Sequence, residues 1–241
     1  MLNSLLNRFP VKFEVDGVVL PLKQMPLDAK TKRRILRGGY ETAERKLVAK
    51  FVKQGDQVLE FGGSLGVVSS ILAKRVGASG RVISVEPDDS LRLAFNYQMQ
   101  LNNLEVKCIC ALGCPIWAEA VPDEWKSQSF SNQGHSLSGR AERGGADDGV
   151  GSAPWKTALE ICNESSLEPN VLIVDIEGAE TVWCEHSPNF PKSVDLLIVE
   201  FHPEINGEED AGRAVQAIVD EGFKIVGFSR TVIAFKRIPA S

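Results

Sequence analysis

Two short polar patterns, each closing a run of apolar residues, have the composition needed for acid–base chemistry. Asp175 and Glu177 end "VLIVDIE", and Glu200 and His202 end "DLLIVEFH". Residues two apart on an extended chain can face the same way, and neighbouring carboxylates raise each other's pKa when they are desolvated. One of these groups could therefore serve as a general base toward a hydroxyl, which needs a base or a metal ion to lose its proton near neutral pH.

A structural interpretation of the same residues stands beside the catalytic one. Glu177 and Glu180 could instead stabilise the N-terminus of a helix that begins near Ala179, through the helix dipole. His135 falls in a low-complexity stretch and His186 at a helix end, so we interpret both as incidental. A divalent ion between the carboxylates is chemically compatible with them, but the sequence alone assigns no metal ligand.

The stretch "VLEFGGSLG" contains three glycines in five positions, Gly62, Gly63 and Gly66. The first two would let a turn reverse sharply and bring backbone N–H groups against a ligand, and the third would let a helix pack closely on the preceding strand. In an open parallel sheet this strand-to-helix turn is the usual floor of the ligand crevice. The spacing is GGxxG rather than GxGxxG, and such turns also form for packing reasons alone, so both interpretations stand.

Two carboxylates indicate which ligand such a turn would hold. Glu86 ends the next strand, where an acidic side chain can accept hydrogen bonds from both hydroxyls of a ribose. Glu60 precedes the glycines and would repel the pyrophosphate of a dinucleotide, which favours a positive local field. The pair predicts a cationic nucleoside, and S-adenosylmethionine, with its α-ammonium and sulfonium groups, fits that description.

The elements that must position these residues alternate along the chain. Apolar runs separated by amphipathic segments are typical of a parallel sheet covered by helices on both faces. The last two strands are joined only by a short turn at Arg230, so they must run antiparallel. We predict strands at 57–61, 81–86, 105–112, 171–176, 195–201, 223–229 and 231–237, with helices at 41–52, 66–76, 89–101, 155–164, from about 179, and at 210–221.

Two further segments complete the predicted organisation. "VKFEVDGVVLPL" alternates around Asp-Gly, which predicts a β-hairpin over residues 11–22. We therefore divide the chain into an N-terminal hairpin extension, 1–26, and a catalytic domain, 27–241. Residues 131–152 are rich in glycine and serine, which predicts a flexible loop. The loop is either a tolerated insertion or a lid over the substrate.

Composition excludes some partners. The 241 residues carry a formal net charge of −5. Because a surface that tracks phosphates needs clustered Lys and Arg, the chain is predicted to have no nucleic-acid partner. The exception is a basic cluster that we interpret as the solvated face of a short helix, with an anion or phosphate-bearing substrate as the alternative. Its members are Lys30, Lys32, Arg33, Arg34 and Arg37.

Cysteine usage and hydropathy bear on location. Five cysteines are an odd number, so they cannot all pair, and a reducing compartment is favoured. Cys108, Cys110 and Cys114 lie close together without a CxxC pair, which argues against zinc. No run approaches the roughly 18 apolar residues of a membrane span, and "MLNSLLNRFP" lacks the features of a signal peptide. We therefore predict a cytoplasmic protein; its oligomeric state is not determined.

Several motifs together are similar to those of the FkbM family of S-adenosylmethionine-dependent methyltransferases. They are "RGGYETAERKLVAKFVKQGDQVLEFGGSLGVVSSILAKR", "VISVEPDDS", "NYQMQLNN", "VDIEGAE" and "LLIVEFHP". The similarity runs from about Gly38 to Pro203, and its most specific part is the "DIEGAE" segment. The family usually has Asp where this chain has Glu60, a conservative departure.

The resemblance implies a Rossmann-like class I methyltransferase sandwich and O-methylation of a hydroxyl on a sugar, glycolipid or small secondary metabolite, so the partner would be a small-molecule or glycan acceptor. It implies a catalytic group of Asp175, Glu177, Glu200 and His202. A nicotinamide-dependent oxidoreductase and a non-catalytic methyltransferase-like binding protein remain as alternatives. The cofactor-binding residues that the resemblance implies are Tyr40, Glu60, Gly62, Gly63, Ser64, Gly66, Glu86, Pro87, Asp88, Ala111, Leu112 and Asp175.

Overall fold

The structure of the chain is a computed structural model. It describes residues 12–23, 25, 27–126, 128–132, 139–143 and 153–239.

A seven-stranded sheet forms the centre of the molecule. Five of its strands are parallel, and they are preceded in the chain by a separate N-terminal hairpin of strands β1 and β2. The strands in chain order are β1 (Lys12–Val15), β2 (Val18–Pro21), β3 (Gln57–Phe61), β4 (Arg81–Val85), β5 (Lys107–Ile109), β6 (Leu112–Cys114), β7 (Gln128–Asn132), β8 (Gly139–Arg143), β9 (Trp155–Thr157), β10 (Val171–Val174), β11 (Leu196–Glu200), β12 (Phe223–Ser229) and β13 (Val232–Arg237).

Helices connect the strands and cover the sheet. Short 3-10 turns follow the third of these helices, at Gly77–Ser79, and precede the seventh, at Ala179–Thr181. The α-helices are α1 (Ala29–Leu36), α2 (Thr42–Phe51), α3 (Val67–Val76), α4 (Asp89–Leu101), α5 (Asp123–Lys126), α6 (Ala158–Ser165), α7 (Val182–Glu185), α8 (Pro203–Asn206) and α9 (Glu208–Asp220).

Both faces of the sheet are buried, as its apolar runs predict. Leu59 and Phe61 of β3 face one apolar cluster, and Val58 faces the other, because alternate residues of a strand point to opposite faces. Glu60 shares the face of Val58 and is only 1% exposed. A carboxylate thus replaces an aliphatic side chain in the core near the carboxyl end of β3.

The strand order shows which strands have their carboxyl ends side by side, at the edge of the sheet where a ligand could bind. It runs β12, β13, β11, β10, β3, β4, β5, and β13 is antiparallel to both of its neighbours. The predicted C-terminal antiparallel hairpin is therefore confirmed, with its turn at Arg230. The carboxyl ends of β3, β4, β10 and β11 meet at one edge, which brings the loops after residues 61, 85, 174 and 200 together.

The N-terminal hairpin packs on the central sheet unit through α3 and α4. Val18 and Leu20 are fully buried. The amide of Asn102, at the end of α4, both accepts from the backbone N–H of Val19 at 2.8 Å and donates to its carbonyl at 2.9 Å. The hairpin is thus held by a paired backbone contact as well as by apolar burial. The division at residue 26 remains a prediction.

The structure differs from the sequence prediction in the third crossover. The predicted strand 105–112 is two strands, because β5 ends at Ile109 and β6 leaves the main sheet to pair with β9. The predicted helix 155–164 correspondingly begins as β9, and α6 starts at Ala158 after a capping box. Part of the predicted flexible loop, 133–138 and 144–152, lies outside the described residues. The rest includes strand residues, since β7 and β8 pair antiparallel.

Within the described residues, no helix is both long and apolar enough to cross a membrane.

Candidate functional site

The glycine turn after β3 is packed against the protein's own backbone. The N–H groups of Gly62 and Gly63 both donate to the carbonyl of Val85, each at 3.0 Å. Gly62 has a φ of +93°, and a β-carbon there would lie 1.8 Å from the carbonyl oxygen of Asp175. A β-carbon on Gly63 would lie 2.2 Å from the hydroxyl of Ser84. Close packing of neighbouring strands therefore explains these two glycines without any ligand.

Glu86 organises the same turn. Its carboxylate accepts from the backbone N–H of Ser64 at 2.8 Å and from that of Asp88 at 2.9 Å. Burial raises the pKa of Glu86 to about 7, although the two backbone donors oppose that shift. The side chain thus joins the loop after β3 to the loop after β4. Since a carboxylate has about four acceptor sites, it can still accept from a ligand hydroxyl.

Three other predicted cofactor residues, Asp88, Ala111 and Leu112, differ in their surroundings. Asp88 is buried and caps α4, accepting from the N–H groups of Ser90 and Leu91 at 2.7 and 3.1 Å. Its carboxylate therefore has a structural task that sequence reasoning did not assign. Ala111 and Leu112 are apolar and buried, but they lie where the chain leaves the sheet rather than at the end of a strand.

A group of carboxylates surrounds the turn on the side of α2. Burial raises the pKa of Glu44 well above its usual range, and so do the charges of Asp175, Glu41, Glu60 and Glu200. Burial likewise raises the pKa of Glu60 to about 7, although a hydrogen bond from Ser69 opposes the shift. Many negative groups thus converge on one small volume.

Sequence reasoning missed Glu44. The residue lies on α2 three and four positions before Leu47 and Val48, and all three are buried. A charged residue on the apolar face of a helix is rarely buried without a partner or a function. That placement is the signal that could have found it.

Tyr40 and Glu41 approach the group from the loop before α2. Burial raises the pKa of Tyr40 well above its usual range, and the charge of Glu41 adds to the shift. Burial also raises the pKa of Glu41 to about 7, with the charge of Arg34 opposing. The predicted cofactor residue Tyr40 and its neighbour Glu41 are therefore in electrostatic reach of the carboxylates at the strand ends.

The four predicted catalytic residues converge around His202. Its Nε2 lies 3.5 Å from Oδ1 of Asp175 and 3.8 Å from Oε2 of Glu177, and its Nδ1 lies 2.8 Å from Oε1 of Glu180. Burial opposes a charge on the ring, but the hydrogen bond to Glu180 and the charges of the three carboxylates raise the pKa of His202 to about 10. The base role of His202 remains a prediction.

Hydrogen bonds hold the two strand-end loops together. Asn206, on α8, donates to the carbonyl of Gly178 at 2.6 Å. Glu177 has a φ of 52°, Ser64 of 44° and Glu41 of 45°, a left-handed conformation that costs free energy for residues with a side chain. Such a conformation persists only where the surrounding structure holds it, and at Ser64 the hydrogen bond to Glu86 does so.

The remaining histidines have different surroundings. His186 is bonded to Glu124 at 2.8 Å near the surface, away from the strand ends. His135 lies outside the described residues. Pro87 lies beside the site, with its carbonyl 3.8 Å from the sulfur of Cys110.

Replacing Glu60 by Gln is expected to flatten the pH dependence of stability. The carboxylate's pKa is raised from 4.5 to about 7, so its contribution to stability is fully present below pH 4.5 and is lost as the pH rises through 7. A shift of this size corresponds to about 3 kcal/mol between the ends of that window. Urea unfolding of the ligand-free protein at pH 5 and pH 8 should show a smaller loss of stability for Glu60→Gln than for the wild type. The exposed Glu105→Gln variant is the control, and an unchanged slope in Glu60→Gln would contradict the assignment.

Part of the chain matches the model of a known protein family. Residues 40–124 match the model of a family described as "Protein-L-isoaspartate(D-aspartate) O-methyltransferase (PCMT)". The matched part, about a third of the chain, contains the glycine turn, Glu86 and β5. None of the proteins of curated function matches the chain.

Solved structures resemble the chain over most of its length. A putative rRNA-methylase from Clostridium thermocellum is 12% identical, with a TM-score of 0.48, and the match covers 82% of this chain and 95% of that one. Fibrillarin from Aeropyrum pernix, solved with natively bound S-adenosyl-L-methionine, is 14% identical, with a TM-score of 0.43 and coverages of 78% and 68%. A fibrillarin pre-rRNA processing protein from Methanococcus jannaschii is 12% identical, with a TM-score of 0.43 and coverages of 76% and 66%. These likenesses concern the fold alone. The predicted Rossmann-like sandwich, a mostly parallel seven-stranded sheet that ends in an antiparallel hairpin, is confirmed by the strand order of the chain itself.

One prediction is wrong in the light of these structures. We predicted no nucleic-acid partner from the net charge of −5, yet the proteins with a similar fold include two whose names refer to rRNA or its precursor. The net charge of a whole chain does not fix the charge of one surface, so it cannot exclude a substrate class. The exclusion is withdrawn.

Proposed function

We propose that the protein is an S-adenosylmethionine-dependent methyltransferase whose cofactor lies at the carboxyl ends of β3, β4 and β10. The observation that supports this most is the convergence of buried carboxylates on the glycine turn. Neighbouring charges shift the pKa values of Glu41, Glu44 and Asp175. Two of these neighbours, Arg34 and His202, are positive, and at least five are carboxylates. A ligand that carries an α-ammonium and a sulfonium would offset this excess of negative charge, whereas a pyrophosphate would add to it.

The proposed roles of the cofactor residues follow from their positions. Glu86 would accept from the ribose hydroxyls, and Ala111 and Leu112 would offer an apolar surface to the adenine. Glu60 is 1% exposed and bonded to Ser69, so it would act through its charge rather than by contact.

The amino-acid tail of the cofactor would meet the other side of the turn. Tyr40, Glu41 and Glu44 would surround that end. Of these, Glu44 is an addition to the residues predicted from the sequence, and the partly exposed Glu41 is the one that would reach the α-ammonium.

Methyl transfer in this site would be an in-line displacement. The acceptor oxygen forms a bond to the methyl carbon as the carbon–sulfur bond breaks, the electron pair of that bond stays on sulfur, and the acceptor loses one proton. Asp175, Glu177 and Glu200 lie where that proton would be released. Burial and the charge of Glu200 raise the pKa of Asp175 well above its usual range.

The acceptor that we propose is a hydroxyl of a sugar, glycolipid or small secondary metabolite, the range that the FkbM resemblance implies. The strand-end carboxylates support an acceptor that must lose a proton. A cytoplasmic location also belongs to the proposal, and the five cysteines, all of them free, support a reducing compartment.

Calorimetric titration tests the cofactor. We expect S-adenosylmethionine and S-adenosylhomocysteine to bind and NAD to give no heat of binding. Tight binding of NAD without a response to the other two would contradict the proposal and favour an oxidoreductase.

Mass spectrometry tests the reaction. Acceptors incubated with enzyme and cofactor are expected to gain the mass of one methylene, and the panel should include glycans, hydroxylated metabolites, RNA and isoaspartyl peptides. Cofactor binding without transfer of a methyl group to any acceptor of the panel would favour a non-catalytic binding protein.

A further inference from the structure

Three residues at the ends of β10 and β11 have the spacing of a metal site. One ligand atom from each of Asp175, Glu200 and His202 lies within 4.8 Å of the other two. Nε2 of His202 lies 3.5 Å from Oδ1 of Asp175. Ligand atoms about 2.1 Å from a common ion lie roughly 3 to 3.5 Å apart, so a small contraction of this group would enclose one.

A carboxylate orients the imidazole of His202, as is typical of metal-binding histidines. Its Nδ1 is 2.8 Å from Oε1 of Glu180, and the side chains of the two residues are only 8% and 2% exposed. A carboxylate that accepts from one ring nitrogen fixes the ring and directs the other nitrogen toward the ion. Here that other nitrogen faces Asp175 and Glu177.

A second observation concerns the hydrogen bonding of Asp175. Oδ1 of Asp175 is buried and has no hydrogen-bond partner. A buried carboxylate oxygen left in this way costs free energy unless another group compensates it. The same oxygen is the one that faces Nε2 of His202, so a cation at this point would satisfy it.

We propose that Asp175, Glu200 and His202 bind a divalent transition-metal cation. A set of one imidazole and two carboxylates suits Mn²⁺, and Zn²⁺ and Co²⁺ are its closest competitors. Glu177, with an oxygen 3.8 Å from Nε2, borders the site. An ion bound there would offset part of the charge of the surrounding carboxylates.

The role of the ion rests on the proposed methyltransferase function. A bound divalent cation lowers the pKa of an oxygen ligand by several units, so an acceptor hydroxyl would lose its proton to solvent without a strong protein base. The binding of the ion itself does not depend on that function, which allows the two to be tested separately.

Binding of Mn²⁺ to untagged, chelator-treated protein is the test, measured by the loss of the electron paramagnetic resonance signal of free Mn²⁺. We expect one site per chain in the wild type, loss of it in Asp175→Asn, and an affinity about 10- to 100-fold lower in Glu180→Gln. His186→Gln removes the imidazole of the exposed group formed with Glu124 and Glu185, and it should bind as the wild type does.

The outcomes separate the metal from the cofactor. Titration of Asp175→Asn and wild type with S-adenosylmethionine in the presence of chelator shows whether the cofactor pocket is intact. No Mn²⁺, Zn²⁺ or Co²⁺ binding tighter than about 1 mM, or equal binding by wild type and Asp175→Asn, would overturn the metal site. Metal binding without any response to the cofactor would instead contradict the proposed function and leave the metal site standing.

Discussion

Replacing Gly62 by Ala is expected to unfold the site and to lower the free energy of unfolding by more than about 3 kcal/mol. The added β-carbon would lie 1.8 Å from the carbonyl oxygen of Asp175, and that atom is backbone, so it cannot rotate away. The φ of +93° adds a conformational cost for any residue with a side chain. To relieve the overlap, β3 and β10 must separate at their carboxyl ends, where the proposed cofactor and metal sites meet.

Chemical denaturation measures the first effect and calorimetric titration with S-adenosylmethionine the second. Gly212→Ala is the matched control, because Gly212 lies inside α9 and a β-carbon there would meet nothing within 4 Å. Helix propensity predicts that this control gains about 1 kcal/mol. A Gly62→Ala protein as stable as the wild type, and still binding cofactor, would show that the two strands are not packed as described.

Replacing Glu86 by Ala is expected to weaken S-adenosylmethionine binding by about 10- to 100-fold, or more if the turn also rearranges. Two contributions add. The ribose hydroxyls would lose their acceptor, and the N–H groups of Ser64 and Asp88 would lose theirs, so the turn that approaches the cofactor is no longer fixed. Asp89→Ala changes an exposed carboxylate three positions away and should leave the affinity unchanged.

Deoxyribose analogues of the cofactor separate the two contributions. If Glu86 binds the ribose, a 2′- or 3′-deoxy analogue loses affinity for the wild type but little further affinity for Glu86→Ala, and the difference is the coupling free energy of a double-mutant cycle. Equal losses in both proteins would assign Glu86 to the turn alone. Thermal unfolding of the ligand-free variant then reports how much that structural part contributes.

Much of the sheet could be predicted because its strands are local patterns. An apolar run such as "VLIVDI" is buried on both faces whatever its neighbours are, and a turn of one or two residues between "FKIVGFS" and "TVIAFKR" leaves the antiparallel hairpin as the sterically accessible pairing. The third crossover was predicted less well. "EVKCICAL" is continuous in hydropathy, yet β5 ends at Ile109 because the following residues pair with Trp155–Thr157 instead of with β4.

Ionisable residues lie at or just after the carboxyl ends of β3, β4, β10 and β11, and the sequence alone predicted that they share one edge, because parallel strands all end on the same side. The contacts of each residue depend on the three-dimensional structure. The carbonyl of Asp175 leaves no room for a β-carbon on Gly62. Glu44 lies among the buried carboxylates around the turn, and Glu180 lies within hydrogen-bond distance of His202. The physical reason is that burial and charge–charge interactions depend on distances between residues far apart in the chain, and a hydropathy pattern records only which face of an element is buried.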